Sequence, residues 1–382
     1  MKNILLLGAT GSIGKSVLSV LSENSKKFNL FGISFNKNFS RADEIINKFS
    51  PKYAYIEDTD CFNRQCDKNS CQFLNGDKSL DELIRHQDID IIICATSGFA
   101  GLKATYIAAS TGKKILLANK ESIVAGGDLI LPLAKENNTE IIPVDSEHNA
   151  IFQCLSGEKN TEDVKKIIIT ASGGPFLNHS ISDLKRVSVK EALNHPNWKM
   201  GSKITIDSAT LVNKCLELIE AKYLFDLDEE YFDLVVHPQS IIHSIVTYID
   251  GSSICHMSCP NMKIPIAHAL SDINRLPISF NSLDFTSLKL SFQEFPKDRI
   301  EIQNIAREVC QKGGFLGTIF NAANEVAVEN FLNGRIKFDE IYEVIYRTFD
   351  SDHLSNDLNI DSINEVNIQT RNHAEKVLKS IA

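Results

Sequence analysis

Short apolar runs alternate with helix-like stretches along the N-terminal third of the chain. The apolar runs are Ile4 to Leu7, Leu30 to Phe35, Tyr53 to Ile56, Ile89 to Ala95, Lys114 to Ala118 and Glu140 to Val144. The helix-like stretches include Lys15 to Leu21, Leu80 to Arg85 and Ala100 to Ser110. Parallel strands covered on both faces are apolar throughout, and strands that alternate with helices build an α/β sheet. The pattern therefore predicts a doubly wound parallel sheet over residues 1–146.

The first predicted strand runs into a glycine-rich turn, Gly8 to Gly14, and then into a helix. Glycine lets a backbone approach a pyrophosphate, and a helix N-terminus offers free N–H groups to it. The G-x-x-G-x-x-G spacing indicates a dinucleotide site in a Rossmann-like domain, although a turn with only a packing role is the alternative. The second strand ends in Asn36, Lys37 and Asn38, without the carboxylate that usually holds the ribose of NAD. This end favours NADP, unless Lys37 is simply a solvated loop residue.

Polar clusters follow three of the predicted strands: residues 96–98, 119–121 and 145–147. Ligands of open parallel sheets bind at the carboxyl ends of the strands. We therefore expect the three clusters to lie at the ligand-binding edge.

Two groups of carboxylates suggest a metal site. Asp145 and Glu147 follow a strand directly. Glu217 lies on a predicted helix, where it shares one face with Asn213 and Glu220 because these residues are four and three positions apart. Carboxylate oxygens select Mg²⁺ or Mn²⁺ over zinc, so these groups can form a three-carboxylate site. A helix cap at Asp145 and an ordinary charged helix face are the alternatives.

Two turns have the composition of phosphate sites. Residues 170–176 follow a predicted strand at Lys166 to Ile169 and pair two glycines with a hydroxyl. Residues 207–210 follow a second predicted strand at Ile204 to Ile206. The loop 195–201 between them contains the single tryptophan, Trp198, which indicates either a lid over a ligand or a packing residue.

The C-terminal part of the chain is predicted to be helical. Periodic stretches cover Phe320 to Leu332, Phe338 to Phe349 and Asp361 to Ile381, with Asp339 and either Asp361 or Ser362 as N-caps. We expect a catalytic α/β domain at 147–275, a Pro- and Ser-punctuated linker at 276–297 and a helical domain at 298–382 that supports the active-site cleft.

Composition narrows the class of partner. Forty Lys and Arg residues against 49 Asp and Glu residues give a net charge of −9, which argues against nucleic acid or an anionic membrane as the main partner. No apolar run approaches the roughly 18 residues of a membrane span.

Nine cysteines without a framework of close pairs indicate free thiols in a reducing compartment, which predicts a cytoplasmic protein. The series Cys61, Cys66, Cys71 and the cluster Cys255 to Cys259 lack the paired spacing of a zinc site.

Several motifs together resemble the 1-deoxy-D-xylulose 5-phosphate reductoisomerase family of the non-mevalonate isoprenoid pathway. They occur in the family's order and cover almost the whole chain: GATGSIG from Gly8, LLANKES from Leu116, VDSEHNAIFQ from Val144, TASGGPF from Thr170, HPNWKMGSKITIDSATLVNK from His195, LELIEA from Leu216, HPQSIIHSIVTYIDGS from His237 and NAANEVAV from Asn321.

The resemblance implies an NADPH- and divalent-metal-dependent enzyme, expected to be a homodimer. It would rearrange and reduce 1-deoxy-D-xylulose 5-phosphate, a sugar phosphate, to 2-C-methyl-D-erythritol 4-phosphate. The implied cofactor residues are Thr10, Gly11, Ser12, Ile13, Asn36, Lys37, Asn38, Asn119, Glu121 and Gly201. The implied ligands of Mg²⁺ or Mn²⁺ are Asp145, Glu147 and Glu217. The implied substrate residues are Ser172, Ser208, Asn213 and Lys214 at the phosphate, Lys120, Ser146, Glu147 and His195 at the sugar, and Trp198 and Met200 on the closing loop. Lys120, Glu147 and His195 are the implied catalytic residues.

The sequence departs from the family pattern at a few positions. Cys215 stands where a glycine is common, Leu177 where an arginine is common, and residues 255–262 also differ. We expect Cys215 to affect local packing or sensitivity to oxidants.

Other classes fit less well. A short-chain dehydrogenase needs Tyr-x-x-x-Lys, which none of the eight tyrosines provides. A semialdehyde dehydrogenase could use Cys154 as its nucleophile but leaves the carboxylates unexplained, and an NADP-sensing regulator needs neither a metal nor a phosphate site.

Overall fold

The computed structural model describes residues 1–63, 71–157, 161–198, 200–349 and 357–381. The strands of this part are β1 (Lys2–Leu7), β2 (Phe28–Phe35), β3 (Tyr53–Ile56), β4 (Gln72–Leu74), β5 (Ile91–Cys94), β6 (Lys114–Leu117), β7 (Ile141–Pro143), β8 (Val164–Ala171), β9 (Phe232–Val236), β10 (Ile242–Tyr248), β11 (Ser253–Met257) and β12 (Gln293–Glu294). Its α-helices are α1 (Ser12–Glu23), α2 (Phe39–Phe49), α3 (Thr59–Asn63), α4 (Asp77–Arg85), α5 (Leu102–Ala109), α6 (Lys120–Glu136), α7 (Ser146–Leu155), α8 (Val189–Ala192), α9 (Ser202–Thr210), α10 (Val212–Phe225), α11 (Lys263–Leu270), α12 (Ile300–Lys312), α13 (Leu316–Leu332), α14 (Glu340–Phe349) and α15 (Ile360–Ile381).

The residues group into two compact units. The first unit comprises 1–122, 130–145 and 262–280, and the second comprises 123–129, 146–261 and 281–382. Residues 262–275 therefore group with the sheet of the first unit, whereas the sequence places them in the catalytic domain. The three-domain division stays a prediction.

The first unit is built on a parallel sheet of strand order β4-β3-β2-β1-β5-β6-β7. Every pairing between neighbours is parallel, and the order reverses direction beside β1. The central strands are apolar because both of their faces are covered: Ile4 to Leu7 are at most 1% exposed. The predicted doubly wound α/β fold is confirmed.

The second unit contains a mixed sheet of strand order β11-β10-β8-β9-β12. Its apolar core is continuous with the C-terminal helices, since Phe232 of β9, Leu216 of α10, and Phe320 and Phe338 from the helical part belong to one buried cluster. The helical character predicted for the C-terminal part is thus confirmed, and these helices share a core with the sheet.

Some local predictions were wrong. Ile204 to Ile206 do not form a strand but lie inside α9, which continues to Thr210 before a left-handed residue, Leu211, ends it. The alternating pattern of K-I-T-I-D resembles a strand, yet two adjacent residues, Thr205 and Ile206, are both buried, which fits the wider buried face of a helix better than strict alternation.

The predicted linker and the last helix also differ from expectation in detail. Within 276–297, Gln293 and Glu294 pair with Val236 and Val235 at the edge of the second sheet. The N-terminus of α15 is capped by Asn359, whose Oδ1 accepts hydrogen bonds from the N–H groups of the two residues predicted as caps, Asp361 and Ser362. Among the described residues, no helix is long and apolar enough to cross a bilayer.

Candidate active site

The glycine turn lies between β1 and α1, as the sequence predicts. Gly8 has φ +83°, and a Cβ there would lie 2.5 Å from the carbonyl oxygen of Ala95, so only glycine fits between the two strands. The N–H group of Gly8 donates to Ser34 Oγ at 3.0 Å. Gly11 precedes α1 without a side chain that could cap it, and first-turn N–H groups lack intrahelical acceptors. This turn can therefore bind a phosphate group.

The residues after β2 are exposed at the surface of the first unit. The side chain of Lys37 is 75% exposed, and its Nζ lies 3.3 Å from a carboxylate oxygen of Asp58. Asn38 caps α2, because its Oδ1 accepts a hydrogen bond from the N–H of Arg41. Asn36 is exposed as well. The structure thus places the accessible ammonium of Lys37 just after β2, at the strand end that the sequence associates with NADP.

The ends of β5, β6 and β7 come together as the sequence predicts. Asn119 Nδ2 donates to the carbonyl oxygens of Thr96 at 2.7 Å and Gly98 at 3.0 Å, so the loops after β5 and β6 are joined. The next residue, Lys120, is 5% exposed and places its ammonium 2.6 Å from an Asp145 carboxylate oxygen after β7. Buried polar groups therefore line the carboxyl edge of this sheet.

Carboxylates on α7 and α10 approach each other in the second unit. Glu147 and Glu217 offer oxygens within 4.8 Å of one another, and Glu217 is 1% exposed. Lys214, one turn before Glu217, is hydrogen-bonded to Glu217 and lies 3.1 Å from Glu147. Asn213 donates to the same Glu217 carboxylate. Two carboxylates exceed the charge of one lysine, and hard oxygen donors at this spacing fit Mg²⁺ or Mn²⁺.

A second cluster contains Ser172, Ser208 and His195. Ser172 Oγ lies 3.0 Å from His195 Nε2 and 3.4 Å from Ser208 Oγ, and it accepts from the N–H of Gly174 at 3.2 Å. Ser172 belongs to the first of the two turns predicted to bind phosphate, whereas the second prediction is wrong in form, because residues 207–210, with Ser208, lie within α9 and not in a turn.

The protonation state of His195 follows from its partners. Its Nδ1 accepts hydrogen bonds from the N–H groups of Asn197 and Trp198 at 3.1 and 3.0 Å. Burial lowers the pKa of His195 to about 4. The ring is thus neutral at physiological pH, with its proton on Nε2, from which it donates to Ser172.

The predicted lid loop packs on β10 and on the segment before it. Asn197 Nδ2 donates to the carbonyl oxygen of Pro238 at 2.6 Å, and the ring of Trp198 meets His243 edge-on at 6.2 Å between centroids. Gly201 ends the loop as the N-cap of α9. Trp198 and Met200 are half-buried, and Lys199 lies outside the described residues.

Sequence reasoning missed a buried pair behind the carboxylates. His148 of α7 and Glu220 of α10 are both fully buried, with Nδ1 and Oε2 3.4 Å apart, and His148 Nε2 lies 2.9 Å from the carbonyl oxygen of Glu217. His148 follows Glu147 directly and Glu220 lies one turn after Glu217. These positions next to the proposed metal ligands were the only sign of the pair in the sequence, and they do not reveal that both side chains are buried.

The departures from the family pattern take ordinary packing positions. Cys215 is fully buried and burial raises the pKa of its thiol, so the expectation of oxidant sensitivity is not supported. Leu177 packs against Gly173, and Cys255 is exposed on β11. Of the cysteine clusters considered for metal binding, Cys66 lies outside the described residues.

The parallel sheet with its glycine turn and the paired carboxylates of α7 and α10 are together typical of a nucleotide- and metal-dependent oxidoreductase. Three family models match the chain: 1-deoxy-D-xylulose 5-phosphate reductoisomerase over residues 4–127, the C-terminal domain of that enzyme over 141–225, and the DXP reductoisomerase C-terminal domain over 257–373. The chain belongs to the 1-deoxy-D-xylulose 5-phosphate reductoisomerase family.

Individual relatives agree with this membership. The chain is 45% identical over 351 residues to the 1-deoxy-D-xylulose 5-phosphate reductoisomerase of Ruthia magnifica subsp. Calyptogena magnifica, covering 91% of each chain. It is 42% identical to that of Francisella tularensis subsp. holarctica, covering 98% of each. Among solved structures, a reductoisomerase in complex with NADPH, fosmidomycin and magnesium has a TM-score of 0.93 at 36% identity, covering 100% of this chain and 99% of that one. The Zymomonas mobilis enzyme in complex with NADPH has a TM-score of 0.91 at 37% identity, covering 99% of each.

The predicted family and enzyme class are therefore confirmed. The chain is an NADPH- and metal-dependent reductoisomerase that converts 1-deoxy-D-xylulose 5-phosphate to 2-C-methyl-D-erythritol 4-phosphate.

Proposed function

We propose that Asp145, Glu147 and Glu217 hold Mg²⁺ or Mn²⁺ for this reaction. The observation that carries this proposal is the approach of Glu147 and Glu217 within 4.8 Å, from two different helices, around a buried lysine. Asp145 directly precedes α7 in the chain, so it is tethered to the helix that carries Glu147.

NADPH is proposed to bind along the carboxyl edge of the parallel sheet. The turn Thr10 to Ile13 would hold its pyrophosphate, and residues 36–38 would hold its 2′-phosphate. The support is the exposed Lys37 and the uncapped first turn of α1. Asn119 and Glu121 are assigned to the nicotinamide side and Gly201 to a place beside the cofactor, as the family resemblance implies.

The substrate phosphate is assigned to Ser172, Ser208, Asn213 and Lys214. The contact between the two serines supports their half of this assignment. Asn213 and Lys214 contact Glu217 in this structure, so phosphate binding would require both side chains to share their donors between the phosphate and the carboxylates. Lys120, Ser146 and His195 are assigned to the sugar, with Trp198 and Met200 covering it.

The chain's own groups provide position and charge for the reaction. When bound, the cation polarises neighbouring substrate oxygens, and NADPH supplies the hydride that completes the reduction. Lys120, paired with Asp145, places positive charge where negative charge develops on the substrate. His195 donates a hydrogen bond from Nε2 and, because it is neutral, orients a substrate oxygen without adding charge. The loop 195–201 excludes water while it is closed over the substrate.

A homodimer and a cytoplasmic location are proposed as well. Exposed apolar side chains in the second unit support the dimer: Ile254 on the edge strand β11 is 44% exposed and Phe285 is 71% exposed. Cys94, Cys154, Cys215 and Cys310 are buried free thiols, which supports a reducing compartment. Sedimentation at several protein concentrations tests the dimer.

The metal assignment is tested by the substitution Glu217→Gln, which keeps the shape of the side chain and removes its charge. We expect turnover to fall about a hundredfold to a thousandfold, as when a charge-stabilising group is lost, while the Kd for NADPH changes less than about twofold. Oxidation of NADPH is followed with 1-deoxy-D-xylulose 5-phosphate and Mg²⁺, and a chelator should abolish it.

Glu308→Gln is the matched control, because Glu308 is a partly exposed carboxylate on α12 that pairs with Lys312. It should retain full activity. Loss of NADPH binding in Glu217→Gln, or normal metal-dependent turnover, would disprove the assignment of Glu217.

A further inference from the structure

The junction between α9 and α10 sets the distance between proposed phosphate ligands. Ser208 lies on α9, Asn213 and Lys214 lie on α10, and Leu211 between the helices has φ 65° and ψ 4°. A non-glycine residue in this left-handed region is strained and persists only where the surroundings enforce it. The backbone torsion angles of Leu211 thus set the relative orientation of α9 and α10, and with it the positions of Ser208 and Lys214.

Two buried side chains of the C-terminal helices hold this junction. Tyr342 of α14 donates its hydroxyl to the carbonyl oxygen of Thr210 at 3.0 Å, at the end of α9. Tyr342 is 2% exposed, and burial raises its pKa, so the hydroxyl stays protonated and remains a donor. Asn324 of α13 donates to Asp207 Oδ1 at 2.9 Å, and the residue after Asp207 is Ser208.

Helix α9 also contacts the turn at residues 170–176, which contains Ser172. A Cβ at Gly174, which has φ +66°, would lie 2.7 Å from the carbonyl oxygen of Ser208. The backbone of the turn at Ser172 to Gly174 therefore lies directly on α9. A displacement of α9 would move both serines relative to each other and to Lys214.

We infer that Tyr342 and Asn324 are positioning residues for the substrate phosphate. They fix the α9–α10 junction, and through it the spacing of Ser208 and Lys214, without contacting the substrate themselves. The C-terminal helices thereby contribute to affinity for the phosphorylated end of the substrate and leave the redox step to other residues. This inference rests on the proposed assignment of Ser208 and Lys214 to the phosphate.

Tyr342→Phe tests the inference, because it removes only the hydroxyl. We expect KM for 1-deoxy-D-xylulose 5-phosphate to rise about tenfold, the size of one lost hydrogen bond, with kcat within about twofold. Inhibition by inorganic phosphate should weaken by the same factor. With 1-deoxy-D-xylulose, which lacks the phosphate, kcat/KM should be equal in the variant and the parent enzyme.

Tyr346→Phe is the matched control, since Tyr346 is a half-buried tyrosine one turn later on α14, and it should change none of these constants. Asn324→Ala is a second variant with the same expected pattern. The inference is overturned if Tyr342→Phe leaves KM unchanged, if it lowers kcat/KM equally for both substrates, or if Tyr346→Phe has the same effect.

Ser208→Ala separates this inference from the proposed function. If Ser208→Ala leaves inhibition by phosphate unchanged, the phosphate assignment itself fails. If Ser208→Ala weakens that inhibition and Tyr342→Phe does not, only the positioning role is wrong.

Discussion

At the scale of single residues, the sequence identifies which side chains matter but not the state they are in. His195 is recognisable from its motif. Its neutral form and its tautomer depend on the N–H groups of Asn197 and Trp198 and on burial, which no local pattern encodes. Glu220 is similar: its place on a charged stripe is visible in the sequence, but its burial against His148 is not.

The ionisation of His195 can be measured directly. Because burial lowers its pKa from the ordinary 6.5 to about 4, the ring takes up no proton between about pH 8 and pH 5. In NMR spectra of histidine-labelled protein, the Cε1–H signal of His195 should therefore stay constant over that range. His195→Gln assigns the signal by its disappearance, and a midpoint near the ordinary value would contradict the buried, neutral ring.

At the scale of elements, Leu211 at the junction of α9 and α10 combines an unfavourable backbone conformation with a favourable, buried side chain. Its positive φ suits glycine, which gains up to about 1 kcal/mol there. Its side chain is 2% exposed, and truncating a buried leucine costs about 2–5 kcal/mol. The lost burial outweighs the relieved strain, so Leu211→Gly should lower the free energy of unfolding by about 2 kcal/mol in urea titrations.

Asp226 provides the control for this prediction. It also has a positive φ, 51°, at the end of α10, but its side chain is exposed. Asp226→Gly should therefore be neutral or stabilising by up to about 1 kcal/mol. If both glycine variants are equally stable, burial of Leu211 does not hold the junction.

The contact between α1 and α11 makes the first unit sensitive to acid. Hydrogen bonds from Lys263 and from the N–H of Ser279 lower the pKa of Glu23 from 4.5 to about 2. A carboxylate with a lowered pKa stabilises the fold fully above its ordinary pKa, and this contribution is lost as the pH falls from 4.5 towards 2.

Glu23→Gln tests that contribution. Because Glu23 is partly exposed and screened by solvent, its removal should cost about 1 kcal/mol in urea unfolding at neutral pH, and less at about pH 3. The same substitution at Glu82, an exposed carboxylate on α4, should have little effect at either pH. An equal cost of Glu23→Gln at both pH values would show that its charge is not involved.

Elements were predictable where their signal is local. The strands from β1 to β7 that pair in a parallel sheet carry continuous apolar runs, and all but the short β4 were found within a few residues. In the second unit, β9 to β12 were not found: β10 and β11 form a hairpin across residues 249–252 whose local signal was missed, whereas β9 and β12 pair only with strands far away in the chain. The strand expected at Ile204 to Ile206 failed for the same reason: packing against distant helices decides between strand and helix there.

At the scale of the whole molecule, motifs in chain order identify the family, but they do not show how the parts share their cores. The sequence suggests a separate helical domain from residue 298 onward. In the structure, Phe320 and Phe338 of that part are fully buried in the same cluster as Phe232 of the sheet. Each fully buried side chain of this kind contributes about 1.5–3 kcal/mol, so a handful of them equals the total stability of a typical domain, about 5–15 kcal/mol.

A chain truncated after residue 297 tests this shared core. We expect the truncated protein to lack a cooperative thermal transition of the second unit, to bind a hydrophobic dye, and to have no turnover, because the sheet loses its apolar cover. The parallel sheet of the first unit has its own core, so part of the far-UV circular dichroism signal should remain. The full chain, measured beside it, should show a native near-UV spectrum. If the truncated protein has that near-UV spectrum and a sharp transition, the helices form an independent domain and the shared-core interpretation is wrong.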